Sequence, residues 1–415
     1  MPQSNILVSS IKIVSTNESV TDISSIFKLI NIRESIDLPL IRGDINIEDD
    51  MGLYEFLPIL GQEWIFIELE LDNYTTTIEG FVYKVSNFKR INARRSQYTL
   101  HFCSYESYLN QTKRVKRSFR NTAVSDIIQD ILRNDIKTQK RIIIDPTFGD
   151  ITYIPTNITP FQSIGELLKL AVSNTNDSST YVFFENRLGY VIASVSELLT
   201  QEPNFTYRYS ESVGNNISNN DLDDLSIFFT MENFQIINYV DTFRQATNGM
   251  FASQLHTIDL ISRNIQTYNY KYHNEFDKVN HLNKLPIYKE LPDTSDATVS
   301  NQYFNYVNIS PNNQRNDYIK ANNSDISIDH SNITRLSRII QSSMMDSYTY
   351  KFDIPGNIAL VPSNVINVEI PSTSGEIDII LSGNVLITSI SHTISGDGSY
   401  KQTIETIKDS FSGDI

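Results

Sequence analysis

Cysteine is almost missing from this sequence. Cys103 stands alone among 415 residues, so no disulfide can close within the chain and no oxidising compartment is called for. Tryptophan is as scarce, with one copy. No apolar run approaches the roughly 20 residues that a membrane-crossing helix needs. The N-terminal Met1-Pro2-Gln3-Ser4-Asn5 lacks the basic-then-apolar pattern of a signal peptide. The expectation is a soluble protein made in a cytoplasm. Positive charge is in deficit, with 34 Lys and Arg against 49 Asp and Glu and a net charge of −15. Attraction to phosphate supplies most nucleic-acid affinity, so stable nucleic-acid binding is a poor fit; an acidic surface instead lets DNA slide past. Catalytic signatures are missing as well. There is no Gly-rich phosphate loop, no Ser elbow, and no His-x-x-x-His or Cys-x-x-Cys pair.

What the chain has is length, aromatics and alternation. It is too long for one compact core and should form several domains. The 22 Tyr and 21 Phe favour β structure. Residues 1–110 read as strand after strand. Ile41, Gly43, Ile45 and Ile47 alternate with polar residues, as do Ile65, Ile67, Leu69 and Leu71. Phe81, Tyr83 and Val85 are expected on one face, and Tyr98, Leu100 and Phe102 on another. Strands this close, without long helices between them, predict an antiparallel barrel or sandwich.

Residues 111–206 change character. Thr122 is placed to cap a helix carrying Val124, Ile127, Ile128, Ile131 and Leu132 on one stripe. Thr159-Pro160 opens a second helix, with Thr at the N-cap and Pro at the first helical position. A hairpin follows, Tyr181 to Phe184 and Tyr190 to Ile192, turning through Asn186 and Gly189. Two helices and a hairpin make a small α+β domain. From 264 to 331 the chain is Asn- and Tyr-rich with weak periodicity. Ile333, Leu336, Ile339, Ile340 and Met344 then recur at helical spacing. Tyr348, Tyr350, Phe352 and Ile354 alternate as a strand, Pro355-Gly356 turns, and residues 365–371 form a further strand. A last hairpin turns through Gly396-Asp397-Gly398. No internal sequence repeat is visible.

Few residues suggest chemistry. Asp221, Asp223 and Asp224 offer alternate carboxylates, but the glycine and closing Glu of a calcium loop are missing, so a solvated loop is the reading. His101 and Cys103 lie two apart on one strand, without a third orienting group, and a lone Cys in an apolar strand is usually packing. Carboxylate pairs such as Asp49-Asp50 and Glu68 with Glu70 are expected by chance in so acidic a chain. No catalytic, cofactor or metal residue is assigned. Two basic clusters stand out: Lys113, Arg114, Lys116, Arg117 and Arg120 with Phe119 among them, and Lys89, Arg90, Arg94 and Arg95 in a hairpin loop. Either is a solvated linker or loop, or a docking strip for an acidic partner or a neighbouring protomer.

Several segments resemble the central baseplate hub proteins of contractile-tailed phages. They are Ile32 to Pro39 followed by Gly43 and Asp44; Leu57 to Ile65; Phe183-Phe184-Glu185-Asn186-Arg187-Leu188-Gly189-Tyr190; Gly249 to Leu260; and Asp353-Ile354-Pro355-Gly356 with the strand ending at Pro371. Their order along the chain carries the likeness. It implies a mainly β fold with an α+β part. The first barrel-like antiparallel tube domain takes 1–110, the α+β domain 111–206, a second tube domain 207–240 and 335–415, and an inserted irregular segment 241–334. The likeness also implies a structural duplication of the two β regions and a non-enzymatic homotrimer with no cofactor. Its ring would join the tail tube to the cell-puncturing spike, among surrounding baseplate proteins. It would let DNA pass without specific binding, and would sit in the virion baseplate after assembly in the host cytoplasm. Two like domains per chain would let a trimer present six similar contacts to a sixfold tube. The rival readings are the hub of a related contractile injection system, and a glycan-binding or glycan-cleaving tail protein.

Overall fold

The computed structural model describes residues 4–5, 7–16, 18–56, 59–71, 74–92, 95–176, 178–209, 229–259, 263–288, 301–307, 341, 345, 347–374 and 376–413. It is mainly β with an α+β part. β1 (Ser4–Asn5) pairs with the late strand Ser399–Lys408. The first β-domain holds β2 (Leu7–Val14), β3 (Val20–Asp22), β4 (Phe27–Ser35), β5 (Arg42–Asp49), α1 (Leu53–Phe56), β6 (Trp64–Leu71), β7 (Tyr74–Arg90) and β8 (Ser96–Cys103). Its strands lie in the order β3-β2-β6-β7-β8-β5-β4. The alternating residues meet inside: Ile45, Ile65, Ile67, Tyr98 and Leu100 are buried together with Phe102. Phe102 packs between two neighbouring strands at their glycines. A Cβ on Gly43 or Gly80 would come within 2.4 or 2.5 Å of its ring.

Tyr83 departs from the expected alternation. It is 51% exposed, whereas Val82 is fully buried. The pairing of β7 with β8 shifts between Val82 and Lys84, so a β-bulge adds a residue and turns Tyr83 outward.

The α+β domain follows. It comprises α2 (Tyr105–Thr112), β9 (Phe119–Ala123), α3 (Val124–Asp130), β10 (Ile142–Ile144), β11 (Asp150–Tyr153), α4 (Pro160–Leu168), β12 (Tyr181–Asn186), β13 (Gly189–Ser194) and α5 (Val195–Leu199). The apolar stripe of α3 runs on through a π-helical turn, Ile131–Ile136, and packs on α4 and the β12–β13 hairpin. Thr159 caps α4 as expected: its hydroxyl accepts from the Gln162 amide, and the Gln162 side chain accepts from the Thr159 amide. Thr122 does not cap α3. It lies in β9, its hydroxyl donates to the Arg120 carbonyl, and the N-cap is Ala123 with no side-chain bond.

Next come β14 (Thr206–Tyr209) and β15 (Thr230–Asn238), then β16 (Ala252–Asp259), β17 (Asn264–Lys271), β18 (Leu285–Pro286) and β19 (Asn301–Val307). The chain ends its described course with β20 (Tyr348–Pro355), β21 (Val365–Glu369), β22 (Gly383–Ser395), β23 (Ser399–Lys408) and β24 (Ser410–Phe411). Strands β14, β15, β20, β23, β22 and β21 close on themselves, since β14 pairs with both β15 and β21. Tyr350, Phe352, Ile366, Val385 and Ile404 fill this second barrel. Gly356 is needed here for room. Its φ is not positive, but a Cβ would sit 1.8 Å from the Tyr400 ring. The Asn- and Tyr-rich stretch contributes β17 and β19, on either side of β16. Leu255, Tyr270 and Tyr272 from this region share the second barrel's core. The helical pattern over 331–344 lies almost wholly outside the described residues.

The two β-domains are duplicates. The first has the order β4-β5-β8-β7-β6 and the second β15-β20-β23-β22-β21, with every neighbour antiparallel in both. Phe81 pairs with Trp64 on one side and Cys103 on the other; Leu386 holds the same place between Val365 and Ile407. The bulge at Val82 and Lys84 recurs at Ile387 and Ser389. The sixth strand differs: β2 runs antiparallel to β6, and β14 runs parallel to β21.

Candidate assembly interface

The first basic cluster joins α2 to β9 and divides by role. Val115 is buried, and its amide donates to the Ile158 carbonyl. Arg117 pairs with Asp130 and, at 2.8 Å, with Asp135, and its guanidinium lies 5.3 Å from the Phe119 ring. Lys113 donates to the Asp135 carbonyl at 2.7 Å. These two cations cover the carbonyl end of α3 and its π-helical turn, where the helix dipole favours positive charge. Phe119 is half-buried against the α+β core. Arg114, Lys116 and Arg120 are exposed. In the second cluster, Lys89 and Arg90 are exposed at the end of β7, Arg95 pairs with Glu48 at 2.7 Å, and Arg94 lies outside the described residues.

The strongest polar constellation was not legible in the sequence. It lies where the three domains meet. β22 pairs with β4 over seven residues, from Ser389 opposite Ser35 to Ser395 opposite Leu29, and so joins the two β-domains into one sheet. On the inner face of this ladder Glu34 is fully buried. Its carboxylate meets the Arg187 guanidinium at 2.6 Å and His392 Nε2 at 3.0 Å, and it accepts from the Arg187 amide at 3.0 Å. Arg187 also donates to the Leu360 carbonyl. His392 Nδ1 lies 2.8 Å from the Tyr400 hydroxyl, to which Gln402 donates. Burial alone would raise the Glu34 pKa, but the Arg187 charge and the His392 hydrogen bond prevail and hold it at about 2. Burial pushes the His392 pKa down from 6.5, against the hydrogen bond to Glu34. Arg187 is in the turn of the β12–β13 hairpin, so one residue from each domain is locked into a single cluster. The Asn-Arg-Leu-Gly turn was visible beforehand; its partner 153 positions away was not.

A second buried pairing lies within the α+β domain, between α2, the approach to β10 and β12. Lys140 bridges Glu106 at 2.7 Å and Glu185 at 2.6 Å. Further on, His281 contacts Asp409 at 2.8 Å and stacks on Phe276, fixing the inserted segment to the end of β23.

The remaining candidates are placed as follows. His101 Nε2 lies 2.6 Å from the Ser86 hydroxyl. The Cys103 thiol is pushed up to about 11, by burial first and then by the Glu185 charge, so it is a poor nucleophile. Asp49 accepts from the amides of Met51 and Tyr54, and Glu68 accepts from Ser10. Asp221, Asp223 and Asp224 lie outside the described residues. Among the described residues no three His, Cys, Asp or Glu side chains gather to hold a metal ion, and no helix is long and apolar enough to cross a membrane.

A probable baseplate hub protein, gp334 of Vibrio phage KVP40, is 22% identical to this chain over 391 residues, covering 89% of this chain and 87% of its own length. The chain resembles phage baseplate hub proteins. A tail protein from Neisseria meningitidis MC58 shares the fold with a TM-score of 0.59, at 11% identity and covering 96% of both chains. The 43 kDa tail protein of prophage MuSo2 from Shewanella oneidensis does so with a TM-score of 0.55, at 11% identity and covering 97% of this chain and 99% of its own. No family model matches. The hub likeness thus runs through both β-domains and the α+β domain that pins them together.

Proposed function

We propose that the protein is a structural hub subunit of a phage tail baseplate. Three copies close into a ring with pseudo-sixfold symmetry. The ring joins the tail tube to the trimeric cell-puncturing spike, contacts surrounding baseplate proteins, and leaves a central passage for DNA. The observation that carries this reading is the duplication: one chain holds two β-domains of the same strand order, fused through the β4–β22 ladder. A trimer of such chains presents six similar units, which reconciles a threefold partner with a sixfold one. The near full-length similarity to a probable baseplate hub protein supports the same role. The net charge of −15 suits a wall past which DNA moves without being held. The same adaptor would serve a related contractile injection system; detection of the protein in purified, DNA-filled virions distinguishes the phage setting.

The test is cryo-electron microscopy of the purified protein, alone and mixed with its spike, with light scattering for mass. Threefold rings with an open centre support the hub role. Persistent monomers in the presence of the spike overturn it.

A further inference from the structure

Two arginines stand directly opposite each other on neighbouring strands. In the β4–β5 ladder Arg33 pairs with Arg42, and both side chains are exposed. Residues so placed have Cβ atoms about 4.5–5.5 Å apart, where like charges destabilise a sheet. The chain offsets little of this. Arg33 reaches Glu405 at 3.7 Å, and that carboxylate is shared with Lys351 at 3.6 Å. Among the described residues no carboxylate forms an ion pair with Arg42. Asp44, two residues along β5, instead accepts from the Asn31 amide at 2.9 Å.

The pair opens onto a cleft of about 470 Å³, lined from β22, β4, β5, β8 and β7. These are five consecutive strands of one sheet, so the sheet curls around the cleft. The volume suits a small ligand or one unit of a polymer. Tyr83 also lines it. The β-bulge in β7 turns this ring outward, 51% exposed, beside His101 at a centroid distance of 6.3 Å. Bulges re-aim side chains in this way next to functional sites.

We propose that this cleft takes a single nucleic-acid strand, with backbone phosphates on Arg33 and Arg42 and one base against the Tyr83 ring. A lone carboxylate balances one of two guanidinium groups, whereas successive phosphates balance both, and the guanidinium fork fits phosphate oxygens. Tyr83 decides between a nucleic acid and an acidic peptide. Cationic side chains that track the backbone, with an aromatic ring that stacks a base, are the means by which single strands are held without sequence preference. An acidic peptide would use the arginines and leave the ring idle. Because the chain as a whole is acidic, the contact is local, weak and sensitive to salt. The binding does not rest on the hub reading. Within the proposed ring, the leading end of the DNA is where unstacked bases are found.

Fluorescence anisotropy of a short labelled oligothymidylate with the full-length protein, at low ionic strength, tests this. The wild type should bind, and its affinity should fall as salt rises. Arg33→Ala and Arg42→Ala should each flatten the logarithmic salt slope by about 0.7, the share of one phosphate contact on a single strand. Tyr83→Ala should weaken binding about tenfold at an unchanged slope, as loss of a stacked base does. All three side chains are exposed, so circular dichroism should match the wild type, and either arginine variant should melt no lower because a repelling pair is gone. Unlabelled poly-glutamate and inorganic phosphate serve as competitors, and neither should displace the strand at equal charge. No binding, or binding that all three substitutions leave unchanged, overturns the proposal. Displacement by poly-glutamate overturns it in favour of an acidic protein segment, and displacement by phosphate in favour of a free-phosphate site. Each of these failures leaves the hub reading standing, because ring assembly is read separately by microscopy.

Discussion

At the scale of single residues, the decisive contacts are buried and polar. Glu34, Arg187 and His392 satisfy one another with almost no water. Removing one member of such a group leaves a buried charge without its partner, at a cost of about 3–5 kcal/mol. Arg187→Ala should therefore lose about that much stability in urea titration; a loss under about 1 kcal/mol would show that the cluster is relieved by water. The pH dependence follows from the same geometry. His392, with Glu34, Arg187, Tyr400 and Gln402 around it, has a folded pKa below 6.5. The unfolded chain thus binds the extra proton more readily, and stability falls as pH drops below about 6.5. Glu34, held at about 2, adds a loss of the same sign as pH falls from its ordinary 4.5 toward 2. The melting temperature should decrease from pH 7 to pH 5, and His392→Gln should flatten that decrease. Glycine acts through room rather than charge. Gly356→Ala forces a methyl into the Tyr400 ring, and overpacking of this kind costs typically about 1–3 kcal/mol, measurable by calorimetry. None of this could be read beforehand. Glu34 takes a place on the buried face of β4 that Ile30 and Ile32 fill further back, and only the fold shows which partners meet a charge there.

At the scale of elements, the sequence was more transparent. Alternation marked β5, β6, β8 and β20 because each has one face toward a core and one toward water or polar neighbours. The Thr159-Pro160 signal gave the start of α4, since capping is local chemistry. Thr159→Ala should lower stability by about 1 kcal/mol, with loss of helical signal confined to the α+β domain in hydrogen exchange. Legibility failed where something non-local intervened. The bulge in β7 turned Tyr83 outward and Val82 inward. Thr122 has the right chemistry to cap α3, but β11 recruits its segment into β9. β17 and β19 gave weak signals because Asn, Gln and Tyr lie along both without apolar alternation. The first basic cluster was visible as charge, yet the chain itself uses Lys113 and Arg117 to finish a helix.

At the scale of the whole molecule, the order of motifs along the chain pointed to a mainly β fold, and the duplication of the β-domains was implied by the resemblance rather than visible as a repeat. The two copies share strand order, bulge and pairing geometry, but Gly43 is matched by Tyr350 and Phe102 by Thr406, so no repeat survives in the letters. The ladder between them has a further effect on how the protein comes into being. Glu34 and His392 are 358 positions apart. During vectorial synthesis the first β-domain leaves the ribosome with the β4 edge bare, and its cover is among the last strands made. Contacts this distant in sequence form late and slowly. An interrupted chain has neither a closed second barrel nor a pinned α+β domain, and so has no second unit to contribute. Under the proposed hub role, completion of translation would act as a checkpoint that keeps truncated products out of the ring.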